Sequence, residues 1–128
     1  MEPLLSYVAL AGDSGGEDHL TAAEMFGLPL ERTRMVTLSA CESGRVRATR
    51  SNDIQGIQQA LLIAGAQSLL VSAWRVDSDA TSAWMQSFYR EAQTKTPAEA
   101  SRAAIRSMRR DPRYGHPFFW APFLLIAR

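Results

Sequence analysis

The sequence is short of the residues that most often announce a chemistry. Cysteine occurs once, as Cys41, and histidine twice, as His19 and His116. A single thiol excludes an internal disulfide, a CxxC redox pair and a cysteine-built zinc knuckle, and one Cys with two distant His makes no metal site. The 14 cationic and 13 anionic side chains leave a formal charge of +1, so no bulk field selects nucleic acid or a membrane surface as partner. Lys95 is the one lysine, and arginine carries the rest of the positive charge. Long apolar runs are missing as well: no stretch reaches the roughly 20 residues of a membrane span, and MEPLLSYVALAGD lacks the basic segment of a secretory signal. No glycine spacing matches a phosphate-binding loop. The expectation is a chain without metal, cofactor, nucleic-acid or membrane partner, at home in a reducing cytoplasm.

What is present suffices for one domain. The chain has 128 residues, 46% apolar and 21% charged, a length that buries a single core. Leu4 to Leu10 reads as a strand, followed by a flexible loop over Gly12 to Asp18 that includes the turn-forming GDSGGED, with His19 at the loop's end. Thr21 and Glu24 form a capping box for a short helix that Gly27 and Pro29 stop. Met35 to Ala40 is a compact apolar strand ending on Cys41, and Glu42 to Asn52 is a polar loop. Asp53 can cap a helix carrying Ile54, Ile57, Ala60, Leu61 and Ala64, which Gly65 ends. Ser68 to Ala73 is a second buried strand. Ala80, Trp84, Phe88 and Ala92 line one helix, and Ala100, Ala104 and Met108 line another that opens at Pro97. Phe119 to Ala127 is a last strand, which Pro122 assigns to an edge or a bulge. Trp84, Phe88, Phe118, Phe119 and Trp120 read as core.

This order defines an α/β layer structure with a mainly parallel sheet and helices on both faces. About four strands are available, whereas MVTLSA and SLLVSA are both apolar enough to want neighbours on each side. The expectation is therefore a neighbouring strand from outside these residues, either the remaining part of a longer protein or a second chain along the open sheet edge. Cys41 stands where a buried strand gives way to a loop, the usual location of catalytic groups in open α/β sheets. A free cysteine also serves as a small buried hydrophobe, so position alone leaves both readings open.

LSACESG at Leu38 to Gly44, SLLVSAWRVDSDAT at Ser68 to Thr81 and HPFFWAPFLLIA at His116 to Ala127 together resemble the CHAT domains, relatives of the caspases described from bacteria and often found with tetratricopeptide repeats. PLLSYVALAG and LTAAEMFGLPL are similar to the segment that lies between histidine and cysteine in that family, so the resemblance covers nearly the whole chain. It implies a caspase-like fold lacking its N-terminal strands, with residues 1–128 as the C-terminal part of the domain. It also implies a cysteine endopeptidase acting on a protein or peptide substrate, with Cys41 as nucleophile. Such a cysteine needs a thiolate, a proton donor for the leaving amine and N–H groups for the oxyanion. The family's His-Gly pair belongs upstream of PLLSYVALAG, so the resemblance places the catalytic histidine outside these residues and the isolated chain is expected to be inactive or nearly so. His19 reads as a surface residue and His116 as a structural one.

The resemblance also makes Ser72, Ala73 and Trp74 the strand along which a peptide lies, with Asp77 and Asp79 lining a pocket. The residues themselves leave a second reading open, in which Asp77 or Ser78 caps a helix, Asp79 occupies its first turn and Trp74 is a packed wall. The family usually has an acid where this chain has Ser78, and a glycine-acid-glycine turn where it has Ser51, Asn52 and Asp53. Arg45, Arg47 and Arg50 read as a solvated loop, and Arg106, Arg109 and Arg110 sit against the negative pole of their helix. A non-catalytic interaction module with the same fold is the alternative function. A flavodoxin-like domain fits the strand pattern but not the motifs.

Overall fold

The computed structural model describes residues 6–13, 15–38 and 51–128. They form a mixed α/β structure with a two-stranded and a three-stranded sheet. The chain divides into two compact units, residues 1–70 with 126–128, and residues 71–125.

In the first unit, β1 (Tyr7–Ala11) pairs antiparallel with β2 (Glu17–Thr21). A loop is expected across the start of β2, because EDHLT has no apolar alternation. The backbone forms a hairpin instead: the Gly12 N–H donates to the Gly16 carbonyl at 3.0 Å, and Gly15 takes φ +76°, which glycine adopts without strain. His19 consequently lies in a strand rather than a loop, opposite Ala9, with its ring stacked on Tyr7 at 3.8 Å. Helix α1 (Ala22–Phe26) follows with the expected capping box, Glu24 N–H to Thr21 Oγ1 at 3.2 Å and Thr21 N–H to Glu24 Oε2 at 2.8 Å.

β3 (Val36–Leu38) leads toward Cys41, which with residues 39–50 lies outside the described residues. Helix α2 (Ser51–Ile63) begins three residues earlier than a cap at Asp53 would require, so that residue is inside the first turn rather than ahead of it. Ile57, Ala60, Leu61 and Ala64 are buried, as their spacing requires. The helix stops at Gly65, whose φ is +118°. A Cβ there would stand 2.7 Å from the Glu31 backbone nitrogen and 2.8 Å from Glu31 Cα, so two conditions, backbone angle and space, both demand glycine.

The three-stranded sheet has the order β3-β4-β5, with β4 (Ser68–Ser72) central and β5 (Phe123–Ala127) at one end. Leu69, Leu70 and Val71 are buried, whereas all three residues of β3 are half-buried. Hydrogen bonds from Ala73 N–H to the Pro122 carbonyl at 2.8 Å and from Arg128 N–H to the Gln67 carbonyl at 3.0 Å run β4 and β5 in opposite directions. The last strand thus starts after Pro122 rather than containing it, and proline's missing N–H costs the ladder nothing. The described residues carry five strands in all, one more than the sequence pattern yields, and β2 is the addition.

In the second unit, α3 (Ser78–Ala92) and α4 (Pro97–Arg110) pack together. Trp84 and Phe88 are fully buried on α3, and Ala100, Ala104 and Met108 on α4. Trp84 lies against Phe88 at 5.2 Å and Phe123 at 4.6 Å between ring centroids. Thr96, directly ahead of Pro97, makes a second capping box with Glu99. The assignment of Phe118 to the core is overturned: Pro117–Phe119 is a short 3₁₀ turn that leaves Phe118 46% exposed, and Phe119 and Trp120 are half-buried. No helix among the described residues is long and apolar enough to cross a membrane, and no cluster of metal-ligating side chains occurs among them.

Hydrogen bonds to the Thr21 backbone and hydroxyl hold the Glu24 carboxyl below its ordinary range, and those to Thr96 do the same for Glu99. A carboxyl depressed in the folded state stabilises the fold above its unfolded value and loses that contribution as the pH falls through the folded one. Thermal stability should therefore be level above about pH 5 and decline from about pH 4.3 downward, with a smaller decline in the double variant Glu24→Gln, Glu99→Gln. Gly65→Ala should destabilise the protein by about 2–4 kcal/mol, measured by denaturant unfolding followed by far-UV circular dichroism.

Candidate active site

β4 delivers three of the expected site residues as one continuous segment. At its end the Ser72 hydroxyl donates to the Trp74 carbonyl at 2.7 Å, closing a tight bend. The Ala73 N–H is engaged by the Pro122 carbonyl. Trp74 turns its ring toward the 3₁₀ turn, where its Nε1–H donates to the Phe118 carbonyl at 3.0 Å and its ring lies 6.3 Å from that of Phe118. Both rings keep much of their surface in water, 40% for Trp74 and 46% for Phe118. Trp74 is therefore neither a buried wall nor a loose side chain: it is an exposed ring fixed at its polar end.

His116 explains why the turn holds its shape. Its Nδ1 accepts the Phe118 N–H at 3.1 Å, and Pro117 occupies the first position of the turn. The structural reading of His116 fits this geometry. The segment that Trp74 leans on, including Phe118, is invisible to periodicity, since HPFFWAPF reads as an uninterrupted core run. The one local signal is His-Pro at a turn start.

Asp77 and Asp79 are engaged at the start of α3. Val76 is buried and anchors the chain just ahead of them. Asp77 is the N-cap, with Oδ2 accepting the Ala80 N–H at 3.3 Å and its carbonyl accepting the Thr81 N–H at 3.0 Å. Asp79 is exposed in the first turn. The Arg113 guanidinium is held more firmly protonated, first by its hydrogen bond to Asp111 and that carboxylate's charge, then by Tyr114 and more weakly by Asp79. The structure thus joins Ser72, Ala73 and Trp74 to residues 118–122 and gives Asp77 to a helix cap. Cys41 falls outside the described residues, so its relation to this segment is an expectation from sequence.

Comparison with known proteins places the chain in a class: residues 1–128 match the CHAT domain, and the chain belongs to that family. Among curated relatives, it is 32% identical over 108 residues to tetratricopeptide repeat protein 28 of Mus musculus and 31% identical over 108 residues to that of Homo sapiens. The aligned region is 84% of this chain and 4% of each relative's length. Their name accords with the pairing of CHAT domains and tetratricopeptide repeats. Both are mammalian, so the expectation of a bacterial setting finds no support.

Because Asp77 both caps α3 and carries charge, the two roles are separable. Asp77→Ala should cost about 1 kcal/mol of stability through the lost cap, while Asp77→Asn should keep it within a few tenths. Paired chemical-denaturation curves check this.

Proposed function

We propose that this chain is the nucleophile-bearing, C-terminal part of a caspase-like cysteine endopeptidase domain that cleaves a protein partner in the intact protein. The observation that carries the reading is a cysteine in LSACESG, directly after an apolar strand, in a chain that belongs to the CHAT family. The Cys41 thiolate attacks the scissile carbonyl carbon, backbone N–H groups receive the oxyanion, and a histidine from the remaining half of the domain protonates the leaving amine. Water then cleaves the thioester. An extended peptide lies along Ser72 to Trp74 and pairs on the side away from Ala73, whose N–H Pro122 already holds. Trp74 walls the cleft, and Asp77 and Asp79 supply acidity at its end.

A mainly parallel sheet in the complete domain belongs to the same proposal, the antiparallel pairs among the described residues being β1–β2 and β4–β5. Contacts that pair Leu30 with Ala64, Thr33 with Gln67 and Arg34 with Ser68 advance together along the approach to β3 and β4. β3 ends the strand order among the described residues, and its half-buried residues suit a further strand from the rest of the domain or a second chain.

A second reading, a non-catalytic interaction module, is favoured by one observation: His116, one of the two histidines in these residues, has its Nδ1 committed to the Phe118 N–H. Labelling the full-length protein with a cysteine-directed peptidyl acyloxymethyl ketone separates the two. Wild type should label and Cys41→Ala should not, with proteolysis of a peptide-library substrate falling roughly 10³-fold or more. Equal labelling of both proteins would exclude Cys41 as nucleophile.

A further inference from the structure

The second unit carries a charged feature that the peptidase reading does not use. A groove of about 320 Å³ between α3 and α4 is lined by Ser87, Arg90, Arg106, Ser107 and Arg110, with Glu91 and Ala103 completing it. Helical spacing explains the convergence. Ser87, Arg90 and Glu91 stand three and four residues apart on α3, and Ala103, Arg106, Ser107 and Arg110 repeat at the same spacing on α4. The small residues Ser87, Ala103 and Ser107 keep the groove open, and Ser87 is itself buried, 6% exposed. Arginine side chains border this space from both helices.

Little of their charge is taken up by local carboxylates: Arg90 acts on neighbouring Glu91 through space, without an ion pair. Glu91 is ion-paired with Lys95, which lowers its carboxyl first through that hydrogen bond, and Asp111 binds Arg113 at 2.9 Å. Glu99 is occupied with the Thr96 backbone and hydroxyl. Among the described residues, no carboxylate forms an ion pair with Arg90, Arg106 or Arg110. The pole of α4 accounts for Arg109 and Arg110 in its last turn, and Arg109 lies over the Trp120 ring at 5.8 Å. The pole of α3 accounts in the same way for Arg90 in its last turn, whereas Arg106, expected at the pole of α4, lies one turn too early for either pole to explain it.

We propose that this groove binds a phosphoryl group presented on a phosphorylated serine or threonine of a protein partner. A guanidinium offers a planar fork that matches phosphoryl oxygens two at a time, and three such forks with serine hydroxyls between them suit a group carrying nearly two negative charges and three oxygens. A carboxylate, with two oxygens and one charge, engages fewer of them. The groove is open to solvent, so it takes a side-chain-sized group still attached to a larger molecule, whereas small-molecule sites enclose most of their ligand.

The test uses degenerate nine-residue peptide libraries, fluorescently labelled and fixed at the centre on phosphothreonine, threonine or glutamate, with binding to the full-length protein read by anisotropy. The phosphothreonine library should bind at least tenfold more tightly than the other two. Arg90→Gln and Arg106→Gln should each lose at least tenfold, Arg106→Lys should lose part of the affinity by keeping charge without the fork, and Arg102→Gln, outside the groove, should change nothing. Circular dichroism confirms that each variant is folded. Equal binding of the three libraries, or full binding by folded Arg90→Gln and Arg106→Gln, overturns the proposal. Inorganic phosphate competing with an affinity equal to the peptide's overturns the assignment to a protein partner.

Discussion

The stack of Trp84 between Phe88 and Phe123 is the contact on which the second unit's presented surface depends. It joins α3 to the first residue of β5, directly after Pro122, whose carbonyl holds Ala73. That hydrogen bond fixes the end of β4 beside residues 118–122, and only then can Trp74 reach the Phe118 carbonyl. An exposed aromatic ring at the end of a strand would ordinarily sample several rotamers; here the Phe118 carbonyl, on a segment anchored by that buried stack, holds its indole N–H. Side-chain precision at the surface is thus borrowed from burial underneath, and little of it rests on exposed charge, whose pairings in water contribute little.

The same unit shows how polar ends are managed where apolar packing cannot help. Each of its helices starts on a side chain that satisfies orphan amides, Asp77 for α3 and Thr96 with Glu99 for α4. The 3₁₀ turn does likewise through His116. A histidine, a threonine and an aspartate therefore perform one physical task in three places, and each is a residue type that elsewhere signals catalysis. Among such residues, geometry distinguishes a cap from a reactive group.

Much of the fold is legible in the sequence because its signals are local. The Thr21–Glu24 box, the opening of α4 at Pro97, the stop at Gly65 and the apolar faces of α3 and α4 follow from spacing and stereochemistry alone. β2 is not legible, since EDHLT acquires its conformation from a partner strand and a glycine turn rather than from its own pattern. Phe118 misleads for the opposite reason: its neighbourhood is apolar enough to look buried, yet a proline-led turn lifts it to the surface. The segment Ser72 to Trp74 could be named from motif resemblance, but its attachment to residues 118–122 is a long-range fact that no local pattern encodes. Cys41, the residue on which the functional reading rests, remains a sequence-level assignment.

The three tryptophans, Trp74, Trp84 and Trp120, all belong to residues 71–125, while residues 1–70 with 126–128 contain none. Intrinsic tryptophan emission is therefore an optical reporter of one unit, silent toward the hairpin, α1 and α2. Backbone ellipticity sees both. Coincident transitions by the two signals would mean that the units melt as a single cooperative body, and separated transitions would resolve the chain into two thermodynamic domains from one sample without any label.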